Sequence, residues 1–121
     1  MSTLNVSNIT DGTTTVGTSY VVNGSAKAWV FYDLSANEID VSFNTSSVTD
    51  DGAGTYTQSV TSGFSGSGFN SRTYAGMCPA LDRLVTFTGT ATATSHQVSL
   101  YDISSGATDT NSSLTVHGDL A

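Results

Sequence analysis

Basic residues are nearly missing from this chain: Lys27, Arg72 and Arg83 stand against ten carboxylates, for a net charge of −7. Tracking phosphates takes clustered lysine and arginine, so no nucleic-acid partner is expected, and no anionic membrane surface. Cysteine is limited to Cys78, which rules out an intrachain disulfide framework and reads as a small buried hydrophobe. Pro79 is the one proline, a corner residue after a strand. No stretch approaches the ~20 apolar residues of a membrane span, so membrane insertion is not expected. Met1-Ser2-Thr3 shows no basic or apolar leader, and synthesis in a cytoplasm is the expectation.

Large apolar side chains are also scarce. Leu, Ile, Val and Phe make up about a fifth of the 121 residues, while Ser and Thr make up about a third. The length suits one domain. Ordering each residue costs about 1–2 kcal/mol of conformational entropy, so so lean a core is expected to be completed by self-association. The acidic balance keeps such a chain soluble, the more so in salt that screens surface repulsion.

What is present is strand pattern. From Ala26 to Tyr32, Lys27, Trp29 and Phe31 alternate with Ala26, Ala28, Val30 and Tyr32, and both faces are largely apolar, as in a central strand. Asp33–Asn37 turns the chain; Ile39, Val41 and Phe43 then share one face of a half-exposed strand. Thr49–Gly54 supplies a second reversal, and Tyr56, Gln58 and Val60 continue as a third strand, giving a meander. Further strands are expected over Arg72–Met77, Leu84–Ala93, Gln97–Asp102 and Ser113–His117, with a brief turn at Leu81-Asp82-Arg83. No helical periodicity is visible. The fold class is therefore all-β, an antiparallel β-sandwich or jelly-roll-like barrel.

Residues 1–24 form a separate N-terminal β arm before the body at 25–121. Leu4 and Val6 share a face, Asp11-Gly12 and Asn23-Gly24 are turn dipeptides, and Tyr20-Val21-Val22 is a short strand. The arm suits an edge strand on its own subunit or an attachment arm for a neighbour.

Chemistry-bearing constellations are weak. Gly63-Phe64-Ser65-Gly66-Ser67 lacks the second glycine of a nucleophile elbow, and His96 and His117 fall on strand faces read as solvated. Glu38 and Asp40 share one strand face but lack a substrate groove. Asp50-Asp51-Gly52 is a turn rather than a calcium loop. Cys78, His96 and His117 do not have zinc spacing. No catalytic residue, metal or cofactor is assigned. Trp29 suits core packing better than sugar stacking. Phe64 and Phe69, with Arg72 and Tyr74, either tuck onto the sandwich edge or form a receptor or partner contact surface.

One stretch carries a resemblance. Ser25-Ala26-Lys27-Ala28-Trp29-Val30, Ser42-Phe43-Asn44, Ser46-Ser47-Val48-Thr49-Asp50 and Gly54-Thr55-Tyr56-Thr57 together resemble a module of tail-fibre-like and other virion structural proteins of marine tailed bacteriophages. The opening Leu4–Ile9 and closing Val116–Ala121 resemble the ends of such proteins. The resemblance implies a non-enzymatic structural protein on the virion exterior, made in the bacterial host cytoplasm. It implies a homotrimer in which subunits bury the apolar faces of Trp29, Phe31, Val41 and Phe43. Other virion proteins, of the tail or the major capsid shell, would be partners, with a host surface glycan or protein as the receptor. Two placements follow: a tail fibre or tail-tip component, or a capsid decoration (cement) protein on the head.

Overall fold

The computed structural model describes residue 3 and residues 5–79 and 82–121. The face assigned to Leu4 and the turn across Leu81 lie outside the described residues. The rest is two antiparallel sheets laid face to face, with a small arm in front.

The first sheet has strand order β4-β3-β11-β7, from β3 (Ala28–Asp33), β4 (Glu38–Phe43), β7 (Arg72–Met77) and β11 (Asn111–Gly118). The second runs β10-β9-β6-β5, from β5 (Thr45–Gly52), β6 (Thr55–Val60), β9 (Ser95–Asp102) and β10 (Gly106–Ala107), with β8 (Arg83–Thr86) also paired to β9. Period-two alternation selects what lies between the sheets. Ala28, Val30 and Tyr32 of β3 and Leu114 and Val116 of β11 face Tyr56 and Val60 of β6 and Val98 and Leu100 of β9. Leu34 and Phe64 close the two ends of this core. The all-β sandwich is thus shown, and among the described residues the sheets stay separate rather than closing into a barrel.

Asn44 makes the crossover between sheets. It takes φ 52°, a left-handed conformation in which asparagine is tolerated better than most residues. Its amide donates to Lys27 O at 2.9 Å and Ser62 O at 3.1 Å, and its carbonyl accepts from Ser62 N at 2.7 Å. β4 therefore ends in one sheet and β5 begins in the other, so the expected meander is corrected: only β3 and β4 form that hairpin, and β5–β6 form the next in the opposite sheet. The β5–β6 turn needs Gly54, at φ +66°, because a Cβ there would stand 2.4 Å from Thr108 N and 2.6 Å from Leu100 O.

Three further expectations are corrected. The run Leu84–Ala93 is a continuous strand only as far as Thr86, because the following Gly89 has φ +81° and leaves the ladder; beyond it Ala91 makes an isolated bridge to His96. A register shift between Phe31 and Tyr32 puts Ile39 opposite the inward-facing Tyr32 rather than beside Val41 on the outer face. In the arm, β1 (Asn8–Thr10) and β2 (Thr15–Gly17) form the hairpin expected at Asp11-Gly12, but Tyr20-Val21-Val22 lies in a helix, α1 (Thr18–Gly24). That segment satisfies its backbone within the helix, and β propensity without a partner strand counts for little.

Candidate functional site

Trp29 and Phe31 point out of the first sheet, away from the core. Across the ladder Trp29 pairs with Phe43 and Phe31 with Val41, and the Trp29 and Phe43 rings stack with centroids 6.4 Å apart at 22°. β4 is the sheet edge, and among the described residues this side is left largely open: Trp29 is 38 %, Val41 57 % and Phe43 55 % exposed, with Phe31 half-buried between them. Core packing within one chain is thereby corrected for Trp29; the inward half of β3 is Ala28, Val30 and Tyr32 instead. The same rows continue over Thr115 and Ser113 of β11 to Ala75 and Met77 of β7. Phe43 also lines a groove of about 500 Å³ with Ala26, Lys27, Asn44, Thr61 and Leu120. The apolar face and the groove are therefore one continuous surface.

Inside the sandwich runs a chain of polar groups. Gln58 and His96 are fully buried. The Gln58 amide donates to Thr45 Oγ1 at 2.6 Å, and Thr45 Oγ1 donates to Trp29 O at 3.2 Å. The Gln58 carbonyl is left to accept from His96 Nε2 at 2.8 Å, which places the imidazole proton on Nε2 and makes Nδ1 the acceptor for Arg72 Nη1 at 3.5 Å. Burial, and then the Arg72 charge, hold the His96 pKa down at about 4, so the ring is neutral at pH 7. Its expected solvated position is corrected: His96 shares the inward face of Val98 and Leu100. Its hydrogen-bond partners include no hydroxyl or thiol nucleophile and the ring is closed off from solvent. The arrangement fastens β7, β9, β6, β5 and β3 together rather than moving protons to a substrate.

The four residues read as a contact surface are likewise placed by the structure. Phe64 and Arg72 are buried, at 1 % and 7 % exposure, which corrects the receptor-contact reading for both. The Arg72 guanidinium donates to Gly66 O at 3.0 Å, to Ser95 O at 3.5 Å and to Thr92 O, and lies over the Phe64 ring. Carbonyl dipoles and a π face replace water around this cation, and among the described residues no carboxylate pairs with it. Phe69 and Tyr74 are half-buried and pack with Phe87, the Tyr74 and Phe87 centroids 4.4 Å apart. An exposed quartet therefore does not form; the tucked arrangement does.

The remaining candidates do not assemble into a site among the described residues. Asp50 accepts from Gly52 N at 2.9 Å, and Asp51 accepts from Thr57 Oγ1 at 2.5 Å and Gln97 Nε2 at 3.0 Å. Among the described residues no three His, Cys, Asp or Glu side chains gather as metal ligands. Glu38 and Asp40 lie exposed on β4. Cys78 is half-buried beside the core, where burial raises its thiol pKa and makes it a weak nucleophile. His117 lines a small polar recess with Asn70, Arg72 and Thr73. No helix among the described residues is long and apolar enough to cross a membrane.

The buried polar chain had a signal in the sequence. Gln58 stands between Tyr56 and Val60 at a spacing of two, and His96 precedes Val98 and Leu100 in the same way, so both were due on apolar faces. Arg72 had none, because its surroundings are gathered from the loop before it and from Thr92 and Ser95, which only the fold brings together. No family model, no curated protein and no solved structure matches the chain.

Proposed function

We propose that this chain is a structural protein of a tailed-bacteriophage particle, exposed on the exterior and working as a homo-oligomer, with a trimer as the form implied by its resemblance. The observation that carries the self-association is the face of Trp29, Val41 and Phe43, with the half-buried Phe31 between them, which a solitary copy leaves in water. The role is mechanical and non-enzymatic: the buried His96 is spent on fastening strands. In this reading the chain is a tail-fibre or tail-tip component that contacts other virion proteins, with a host glycan or protein as receptor.

Placement on the head as a decoration protein is the second reading, and one observation favours it. The arm holds Ile9, Val16 and Tyr20 in the open, as a segment laid on a neighbouring surface would. Quantitative mass spectrometry of purified particles tests both. Copies in the tens support the tail placement and copies in the hundreds the head. Absence from washed particles overturns the virion role, and a solitary folded 12.4 kDa species in sedimentation overturns the self-association.

A further inference from the structure

We propose that the N-terminal arm of one copy seats on the outer sheet face of another, covering Trp29, Phe31, Val41 and Phe43 and reaching the groove at Phe43. This rests on the self-association proposed above and not on the virion placement.

The arm has no interior of its own. None of the α1 residues is buried, and Tyr20 is 75 %, Val22 58 % and Ile9 49 % exposed. A two-stranded hairpin of three-residue strands joined to a seven-residue helix is too small to hold itself together in water. The body has the converse defect, an apolar face left largely open among the described residues. Each is what the other lacks.

Charge selects arm on face over face on face. Two faces brought together would bring two copies of β4 together, each carrying Glu38 and Asp40, and would trap like charges. The available cation, Lys27, is engaged: its ammonium donates to Ser25 Oγ at 2.8 Å and to Val22 O. Residues 1–24 hold one charged side chain, Asp11, whose carboxylate is committed to its own turn through Thr13 N at 3.0 Å and Thr14 N at 2.8 Å. The arm therefore brings one carboxylate, held in its own turn, towards β4, where a second face would bring another Glu38 and Asp40. Arm-on-face is also a contact between two different patches, so it can build a ring of more than two copies where the rotation closes, whereas face-on-face stops at a two-fold pair.

The test uses the full chain in three forms: unchanged, an arm variant (Tyr20→Ser with Val22→Ser), and a face variant (Val41→Ser with Phe43→Ser). All four positions are exposed, so circular dichroism should report folded protein; Val41→Thr alone replaces the face variant if it does not. Sedimentation over about 1–100 μM is expected to show each variant dissociating at a concentration at least about tenfold higher than the unchanged chain. An equimolar mixture of the two variants is expected to regain association that neither has alone, because one supplies an intact arm and the other an intact face. An arm or face variant that associates like the unchanged chain, or a mixture that stays dissociated, overturns the proposal while leaving self-association standing. An unchanged chain that is monomeric throughout overturns both.

Discussion

The Arg72 guanidinium carbon stands 4.2 Å from the centroid of the Phe64 ring, and this stack joins the glycine-rich loop 62–68 to the start of β7. Phe64 is further held by Phe64 N donating to Ala93 O at 2.7 Å and by its bridge to Leu120. A segment that reads as loose is thus anchored at its middle by a buried aromatic and a buried cation.

Removing the cation should therefore be costly. Arg72→Ala leaves the carbonyls of Gly66, Thr92 and Ser95 without their donor, and a loss of about 2–4 kcal/mol is expected from desolvated groups left unpaired. Phe64→Ala should cost about 3–5 kcal/mol through the cavity it opens. Because the two side chains touch, the double variant should lose less than the sum. Urea denaturation of all three proteins checks this, and strict additivity would contradict a coupled pair.

Stability should fall on mild acidification because of His96. Its folded pKa of about 4 lies below the ordinary 6.5, so between those values the unfolded chain takes up a proton that the native state refuses. The contribution is complete above pH 6.5 and is lost as pH falls towards 4. It amounts to about 3 kcal/mol. Asp102, held down at about 2 chiefly by the Ser104 hydroxyl and backbone N–H, acts in a separate window, below the ordinary carboxylate value. Urea midpoints at pH 7, 5.5 and 4 should decline steeply in the native sequence and much less in His96→Gln. Equal declines would assign the effect elsewhere.

Two glycines at positive φ should respond differently to alanine. Gly54→Ala drives a Cβ to within 3 Å of Thr108 N and Leu100 O, whereas Gly106, at φ +87°, faces open space. Gly106→Ala should cost only the backbone term, about 1 kcal/mol, and Gly54→Ala at least about 3 kcal/mol, because the clash is with backbone that cannot yield. Thermal melts of the pair decide it, and matching shifts would argue against crowding at Gly54.

How far the sequence reached is clearest strand by strand. The inward rows Ala28-Val30-Tyr32 and Leu114-Val116 follow directly from alternation, as does the hairpin at Asp33–Asn37, where Asp33 accepts from Ala36 N at 3.0 Å. Three things were hidden. β5, with Ser46, Ser47, Thr49 and Asp50 outward or half-exposed, has too little apolar content to announce itself, and its existence depends on the turn at Asn44. The bulge that moves Ile39 is a matter of register, which alternation alone cannot supply. The buried surroundings of Arg72 are assembled from Gly66, Thr92 and Ser95, residues brought together only by the finished sandwich. The outer apolar face was legible as two apolar sides of one strand, but not which side would be left uncovered.

Asn44 combines a backbone demand with a hydrogen-bonding one, and three substitutions separate them. Asn44→Gly keeps φ 52° within easy reach but abandons Lys27 O, Ser62 O and Ser62 N; it should cost about 2 kcal/mol from the unpaired groups. Asn44→Ala adds the left-handed penalty of roughly 1 kcal/mol. Asn44→Asp still accepts from Ser62 N, yet turns a carboxylate oxygen towards the Lys27 and Ser62 carbonyls that the amide had served, and like partial charges at that distance repel. The expected order of stability is Asn, then Gly, then Ala and Asp, read as midpoints of urea unfolding. If Gly proves as damaging as Ala, the left-handed turn contributes nothing, and the link between the two sheets rests on the side-chain amide alone.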